Sequence, residues 1–567
     1  MKNRATHVLS LLLLSALPAA GQGDGEGSAA DAVFVESVDV NVVNVEVFVT
    51  DKAGQRVLGL GRDDFELRVD RKIVPITYFY AVEGGEVRSG GAPERPPDPL
   101  EPPRRDLAAT AAEKVPEEQR LHLVIYVDNF NIDPLHRNRL FGHVRAFLGS
   151  RLRPSDRVML VSYDRPLRTR HPFTSNPRLI SEALFDLETV TGHGARASDE
   201  RRDLLDAIYE EANPDPRQAV VARASLYAQE IWNDLQFTID ALKEIVDSLA
   251  GLPGRKAIMY LSDGLAMRAG EDVFYALRER WEDSAYLAMA HRFDASRRFQ
   301  EVTAHANAHR VSFYTVDAAG LRMYTYNDAS NSSPTGGVAI DESHFANLQS
   351  PLQLLAEETG GLAILNTNRF APKLAQVADD FSTYYSLGFT PAVHNDRYRR
   401  IEVRVRDRKG LRVRHRDGYR DQPVGRRMAD GTLAALHHGY QRNALGVELV
   451  FGAGRPEGKD RYLVPVEVRI PIANLSFLPG TAGTETHHSR VRLWVAARDP
   501  DGDASTVQEV PVAIDIPSAE IERAREHLYH HRFTLLMRRG RQLLAVGVRD
   551  EIGGLTSFVV EGTEVGA

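Results

Sequence analysis

Residues 121–132 read LHLVIYVDNFNI. The apolar run made of Leu123, Val124, Ile125, Tyr126 and Val127 is a short stretch of strand-forming residues that stops abruptly on Asp128. The polar loop Asn129-Phe130-Asn131 follows. A buried strand that ends on a carboxylate is how several α/β proteins begin a metal site. Asp128 is therefore the first candidate site residue, and its neighbours decide whether it holds an ion.

Outward from this strand the chain alternates strand and helix. Leu140, Phe141, Val144, Phe147 and Leu148 share one face at i, i+3, i+4 spacing. Asp156–Tyr163 is a strand, and a helical region over about 199–250 ends on the stripe Leu235, Ile239, Leu242, Ile245, Val246, Leu249. Lys256–Leu261 is a strand that runs into Ser262-Asp263-Gly264. A helix over 272–308, a strand Val311–Val316, a helix near 350–358 and a strand Leu362–Leu365 complete the pattern. This order predicts a Rossmann-like α/β domain with a mostly parallel sheet over 121–420. Residues 188–230 hold more helix than a crossover needs, and 323–348 reads as a long polar loop.

The flanks read as β structure. Residues 33–83 predict a small N-terminal β module, with Val43, Val45, Val47 and Val49 alternating and Phe65–Val69 as a further strand. Residues 84–120 are rich in Pro, Gly and charge and predict a disordered linker. YYSLGF, RIEVRVR and LRVRH, from Tyr384 on, predict strands trailing the α/β domain. Residues 437–567 predict a C-terminal β-sandwich of immunoglobulin-like proportions.

The chain has 567 residues, 43% of them apolar and 26% charged, which is the composition of a soluble multidomain protein. A net charge of −8, spread along the chain, argues against nucleic acid as the main partner. The absence of cysteine excludes disulfides, thiol nucleophiles and Cys-type zinc sites. Lys2 and Arg4, the apolar run over 8–14 and the small residues Ala19-Ala20-Gly21 predict a signal peptide over 1–21. The expectation is an exported protein (periplasmic, cell-surface or secreted) with no transmembrane segment after cleavage.

Four stretches together carry a family resemblance: NVEVFVTDKAGQRVLGLGRDDFEL, LHLVIYVDNFN, LAGLPGRKAIMYLSDG and YYSLGFTP with RIEVRVR and LRVRHRDGY. They resemble the VWA-related (von Willebrand factor A-like) exported proteins described chiefly from acidobacteria. The resemblance implies a β module before a VWA domain, and VWA domains in general bind proteins, often through a divalent metal. Their metal site uses D-x-S-x-S after the first strand, a Thr from a second loop and an Asp from a third. Asp128 matches the first Asp and Asp263 the last, but Phe130 and Ile132 stand at the two Ser positions. Thr238 is the candidate Thr, although it lies only 25 residues before Asp263. Asn129 and Asn131 carry oxygens one residue out of phase. The set Asp128, Asp263 and Thr238 would hold at most a weak Mg²⁺ or other divalent cation; otherwise Asp128 caps the loop and Asp263-Gly264 is a strand-end turn.

Other constellations resolve to structure. Asp499-Pro500-Asp501-Gly502-Asp503 lacks the Glu of a calcium loop and reads as a hairpin turn. The pairs His437-His438 and His487-His488 and the group His527, His530, His531 lack acidic or thiol partners at ligand spacing. No nucleophile elbow, zinc-protease or P-loop motif occurs. The expectation is a non-enzymatic protein-binding protein without a cofactor, contacting its partner through Asp128, Asn129, Asn131 and Asp263. A metal-dependent adhesin or sensor on the same scaffold is the alternative.

Overall fold

The structure is a computed structural model, and it describes residues 42–88, 120–209, 217–322, 338–391, 395–480 and 485–566. The signal-peptide reading, most of the linker and residues 323–337 lie outside the described residues. The chain divides into two compact units, one built on 42–249 with 253–421 and the other on 422–567.

The first unit opens with strands β1 (Val43–Thr50), β2 (Phe65–Val69), β3 (Lys72–Val74), β4 (Tyr78–Glu83) and β5 (Glu86–Arg88). The α/β segment follows: β6 (Leu121–Val127), α1 (Pro134–Arg151), β7 (Arg157–Tyr163), β8 (Leu167–Thr174), α2 (Pro177–Glu188), α3 (Gly194–Tyr209) and α4 (Arg217–Leu249). It continues through β9 (Arg255–Ser262), α5 (Glu271–Trp281), α6 (Ala285–His291), α7 (Ser296–Ala308) and β10 (Val311–Asp317). It closes with α8 (Val338–Glu358), β11 (Ala363–Ile364) and α9 (Phe370–Ser382). Then come β12 (Tyr384–Phe389), β13 (Tyr398–Val405), β14 (Arg412–Arg414) and β15 (Gly418–Arg420).

The central sheet has the order β11-β10-β9-β6-β7-β8, parallel throughout except for β8 at one edge. Counted along the chain this is 3-2-1-4-5-6 from the β8 edge, the doubly wound order whose switch point lies between strands 1 and 4. Those strands are β6 and β9, and both are buried at every residue because helices cover the two faces. One side of the sheet packs Leu123, Ile125 and Val127 with Leu140, Phe141 and Val144 of α1 and Phe370 and Leu374 of α9.

Strand pairing corrects the reading of the flanks. β1 lies between β12 and β14, and β2 pairs with β13, so residues 43–88 and 384–420 build one pair of sheets. Their orders are β14-β1-β12-β4-β5 and β15-β13-β2-β3, and Val45, Val47, Phe65, Leu67, Leu387 and Val403 share one core. The strands after Tyr384 therefore complete the N-terminal β structure instead of trailing the α/β domain. Alternation shows that a segment is a strand; it does not say which strand it pairs with. The α/β segment is inserted between β5 and β12, and its last residue on α9 meets the β4–β5 turn that precedes it, where Gly85 N–H donates to Ser382 O at 2.8 Å.

A second correction concerns 323–348. Residues 338–348 are the first half of α8, not loop. Their polarity was misleading because it is satisfied internally: Asn347 bonds the Arg268 backbone on both sides at 2.8 Å, and Gln349 donates to Asp317 at 2.8 Å.

In the second unit two antiparallel sheets share a core that includes Val464, Val466, Leu493, Val495, Leu535 and Val546. Trp494 and Ala496, on the opposite face of their strand, pack instead against Met428, Ala435 and Leu436 of α10 (Val424–His438), a helix the sequence reading does not include. Gly431 lets it sit there, since a Cβ at that position would stand 2.4 Å from the Phe558 ring. Asp499 accepts the amides of Asp501 and Asp503 at 3.1 and 2.9 Å, which is the turn expected of that acidic loop. His530 and His531 lie on a strand, Leu528–Arg538.

Asp380, on α9, is fully buried and ties the inserted segment to the sheets around β1. It accepts both Arg414 contacts, at 2.8 and 2.7 Å, and pairs with Arg56. Replacing Asp380 by Ala leaves two guanidinium groups facing a neutral hole, and an expected loss of about 3 kcal/mol or more is measurable by urea unfolding.

Candidate functional site

β6 and β9 run in register, Val127 opposite Leu261, so Asp128 and Ser262-Asp263 leave the sheet side by side at the switch point. Asp128 N–H donates to Leu261 O at 2.9 Å and carries the parallel ladder one step beyond the strand. The chain then folds back: Asn131 N–H reaches Asp128 Oδ1 at 3.1 Å, and Asp263 N–H reaches Asn131 O at 3.1 Å. Asp133 caps α1 by accepting the Leu135 amide at 2.7 Å. At Gly264 φ is +108°, and a Cβ would lie 2.7 Å from Leu348 O, so only glycine lets α8 approach this turn.

Asp128 has no exposed surface. Its Oδ1 accepts Asn131 N–H and Asn131 Nδ2, both at 3.1 Å; its Oδ2 accepts Asn131 Nδ2 at 2.9 Å, Ser262 Oγ at 3.3 Å and a short bond from the Tyr260 hydroxyl. The same Asn131 amide reaches Thr238 Oγ1 at 3.4 Å. Asp128, Asn131 and Thr238 are thus brought together, with the amide nitrogen between the carboxylate and the threonine. Burial pushes the Asp128 carboxyl up to about 6, against the lowering effect of Tyr260, Asn131 and Ser262.

Asn129 is also fully buried, and its role differs from the expected one. Its carbonyl accepts from the buried Arg137, and its amide donates to Asp164 and, at 2.8 Å, to Thr191 O. Arg137 in turn donates to Val190 O and Glu188 O at 2.9 and 3.0 Å. Asn129 therefore holds the 188–193 segment against the strand end. The expectation that Asp128 and Asn129 face a ligand is corrected: both are spent on internal bonds, whereas Asn131 and Asp263 are half-buried and face a cleft.

This cleft, about 580 Å³, lies at the carboxyl ends of the strands and is also lined by α3, α4 and α8. Asp263 Oδ2 accepts the Asp133 amide and His136 Nδ1, each at 2.8 Å, while Oδ1 is buried with no hydrogen-bond partner among the described residues. The hydrogen bond to Asp263 raises the His136 imidazole above its ordinary value despite partial burial. Arg165 crosses Phe130 at 5.0 Å and pairs with Asp234 at 2.6 Å. Sequence reasoning missed Arg322, which pairs at 2.9 Å with the buried Asp317 at the end of β10. The signal was there in FYTVD, a third apolar strand ending on a carboxylate. It also missed a buried charge group on the same cleft, where Arg201 pairs with Asp272 at 2.5 Å and with Asp341 at 3.1 Å and His344 lies 3.3 Å from Asp272. Burial works to raise Asp272, yet His344 and Arg201 hold it well below the usual carboxylate range.

No family model matches the chain. No curated protein matches it either. Among solved structures it is similar to an aerotolerance-related membrane protein from Bacteroides fragilis, at 9% identity and TM-score 0.23, over 46% of this chain and 98% of the other. BatB from Bacteroides thetaiotaomicron gives 10% and 0.22 over 46% and 97%, and manganese-loaded TRAP protein of Plasmodium vivax 9% and 0.21 over 54% and 96%. Likenesses this distant say nothing of partner or activity, and the mixed α/β fold with a mostly parallel sheet stands on its own strand order.

Two measurements check the site. An Asp263→Asn change removes the charge that holds the His136 proton, so the His136 pKa followed by NMR is expected to fall. Asp128, with its folded pKa raised above the unfolded value near 4, binds its proton more tightly in the folded state. Its contribution therefore weakens stability as pH rises from about 4 through 6, by up to about 3 kcal/mol. In Asp128→Asn the fall in unfolding free energy over that window is expected to be shallower.

Proposed function

We propose that this chain is an exported, non-enzymatic protein-binding protein of the VWA-related kind, which engages its partner through the cleft at the switch point without a metal at Asp128. The observation that carries this reading is the Asn131 amide, already bonded to both Asp128 oxygens and to Thr238. Mg²⁺ takes hard oxygen ligands with open lone pairs in an octahedral array. The Asp128 oxygens accept five hydrogen bonds, and Phe130 and Ile132 bring no oxygen at all. The set Asp128, Thr238 and Asp263 therefore does not fit the ion. The cleft wall supports a protein ligand: Phe130 with Arg165 across its face presents an aromatic ring and a guanidinium, residue types enriched at protein interfaces. Exposed Arg196 and Glu230 add rim charges of both signs. No helix among the described residues is long and apolar enough to cross a membrane.

One observation favours a second reading, a metal-dependent adhesin or sensor. Asp263, which lines the cleft, has a buried carboxylate Oδ1 without a hydrogen-bond donor among the described residues, an oxygen left for a Mg²⁺ through which a partner's carboxylate would bind.

Titration of metal-stripped protein with Mg²⁺ and Ca²⁺ separates the two readings. Neither heat nor a rise in Tm is expected; a 1:1 event lost in Asp263→Asn would establish the second reading instead. For the partner, Phe130→Ala with Arg165→Glu is expected to weaken capture from envelope extract at least about tenfold while leaving the far-UV spectrum intact. Undiminished capture would remove the cleft from the proposal.

A further inference from the structure

We propose that Asp247, His305 and His309 form a binding site for one zinc-type transition-metal ion that ties α4 to α7. The site is separate from the cleft, since none of the three residues lines it. His309 caps α7, and its amide still donates to His305 O at 3.2 Å, so the last helical turn places both imidazoles on one face. Their ring centroids are 4.7 Å apart at an interplanar angle of 73°. Asp247, in the last turn of α4, brings its Oδ1 to 2.7 Å from His305 Nε2 and 3.8 Å from His309 Nε2. All three ligand atoms lie within 4.8 Å of one another.

Those separations suit the ion. With metal–nitrogen and metal–oxygen bonds of about 2.0–2.1 Å, the corners of a tetrahedron are about 3.3 Å apart. The observed 2.7 and 3.8 Å bracket that edge. The His-x-x-x-His spacing of the 305–309 turn is one at which a helix presents two zinc ligands. Two imidazoles and one carboxylate select Zn²⁺, Co²⁺ or Ni²⁺ over Mg²⁺ and Ca²⁺, which prefer an all-oxygen shell.

Exposure fits the same picture. The Asp247 side chain is 58% exposed, His305 25% and His309 3%. His309 is a fixed ligand, Asp247 is the mobile one that closes on the ion, and the fourth position opens to water. One turn earlier on both helices Lys243 and Glu301 pair at 3.3 Å, which keeps α4 and α7 aligned. With its fourth corner at the surface, the site acts as a clamp between helices and contributes to stability by binding the folded state alone.

The test uses the full chain, stripped of metal and titrated with Zn²⁺ and with Co²⁺, Mg²⁺ serving as the control cation. The expected result is one equivalent of Zn²⁺ bound, a rise in Tm that Mg²⁺ does not produce, and Co²⁺ visible absorption of four-coordinate intensity. Asp247→Ala and His305→Ala replace side chains that are at least partly exposed; each is expected to weaken that binding at least about tenfold and to abolish the Co²⁺ band, with metal-free Tm reporting that the variants fold. Wild-type protein without the stoichiometric event overturns the site. So do folded variants that bind Zn²⁺ with unchanged stoichiometry and affinity.

Discussion

A carboxylate with no exposed surface sits at the switch point of the parallel sheet, and the surrounding loop is organised by its need for protons. Burying such a group without hydrogen bonds costs several kcal/mol. Asn131, Tyr260 and Ser262 meet that need, and in doing so they set the path of residues 128–133. The position of Asp133 at the start of α1 follows, as does the placement of His136 against Asp263. One internal requirement thereby shapes the floor of the cleft. The Asp128 oxygens are turned inward, onto Asn131, Tyr260 and Ser262.

The surrounding architecture has the same division of labour. Doubly wound packing keeps β6 and β9 rigid on both faces, whereas α3, α4 and α8 bring charge of both signs to the open end. Asp380 with Arg414 and Arg56, and Arg255 over the ring of Tyr384 at 4.0 Å, hold the inserted α/β segment on the β structure that frames it. Buried ion pairs of this sort contribute little net stability against an apolar alternative, but loss of one partner leaves an uncompensated buried charge.

Much of this was legible in the residues. Apolar runs found β6, β7, β9 and β10 to within a residue or two at most ends, and the strand-end carboxylates Asp128 and Asp263 do emerge together. β8 escaped because LRTRHPFT is a polar edge strand with no apolar alternation to betray it. α10 escaped because Gly425 and Gly431 lower helix propensity, and the helix forms through packing on Trp494 and Phe558. The roles of Asn129 and Asn131 could not be separated from their spacing: both are amides one residue out of phase with the motif. Only the fold decides that one meets Arg137 and the other Asp128. Partnerships across long sequence separations carry no local signature, and the joining of β1 to β12 is the largest instance.

That joining bears on how the molecule is made. Val43 pairs with Phe389, and Leu60 N–H waits for the hydroxyl of Tyr385, 325 residues later. Synthesis proceeds from the N-terminus, so β1 emerges with neither of its partners and β2 with β3 alone, and the remaining edges stay unmatched until the whole α/β insertion has been produced. The insertion can collapse on its own largely local contacts, and its adjoining ends then bring the two halves of the β structure within reach. Closure of that pair is consequently the late, slow event of maturation, and the nascent chain is exposed to strand-mediated aggregation for as long as it takes.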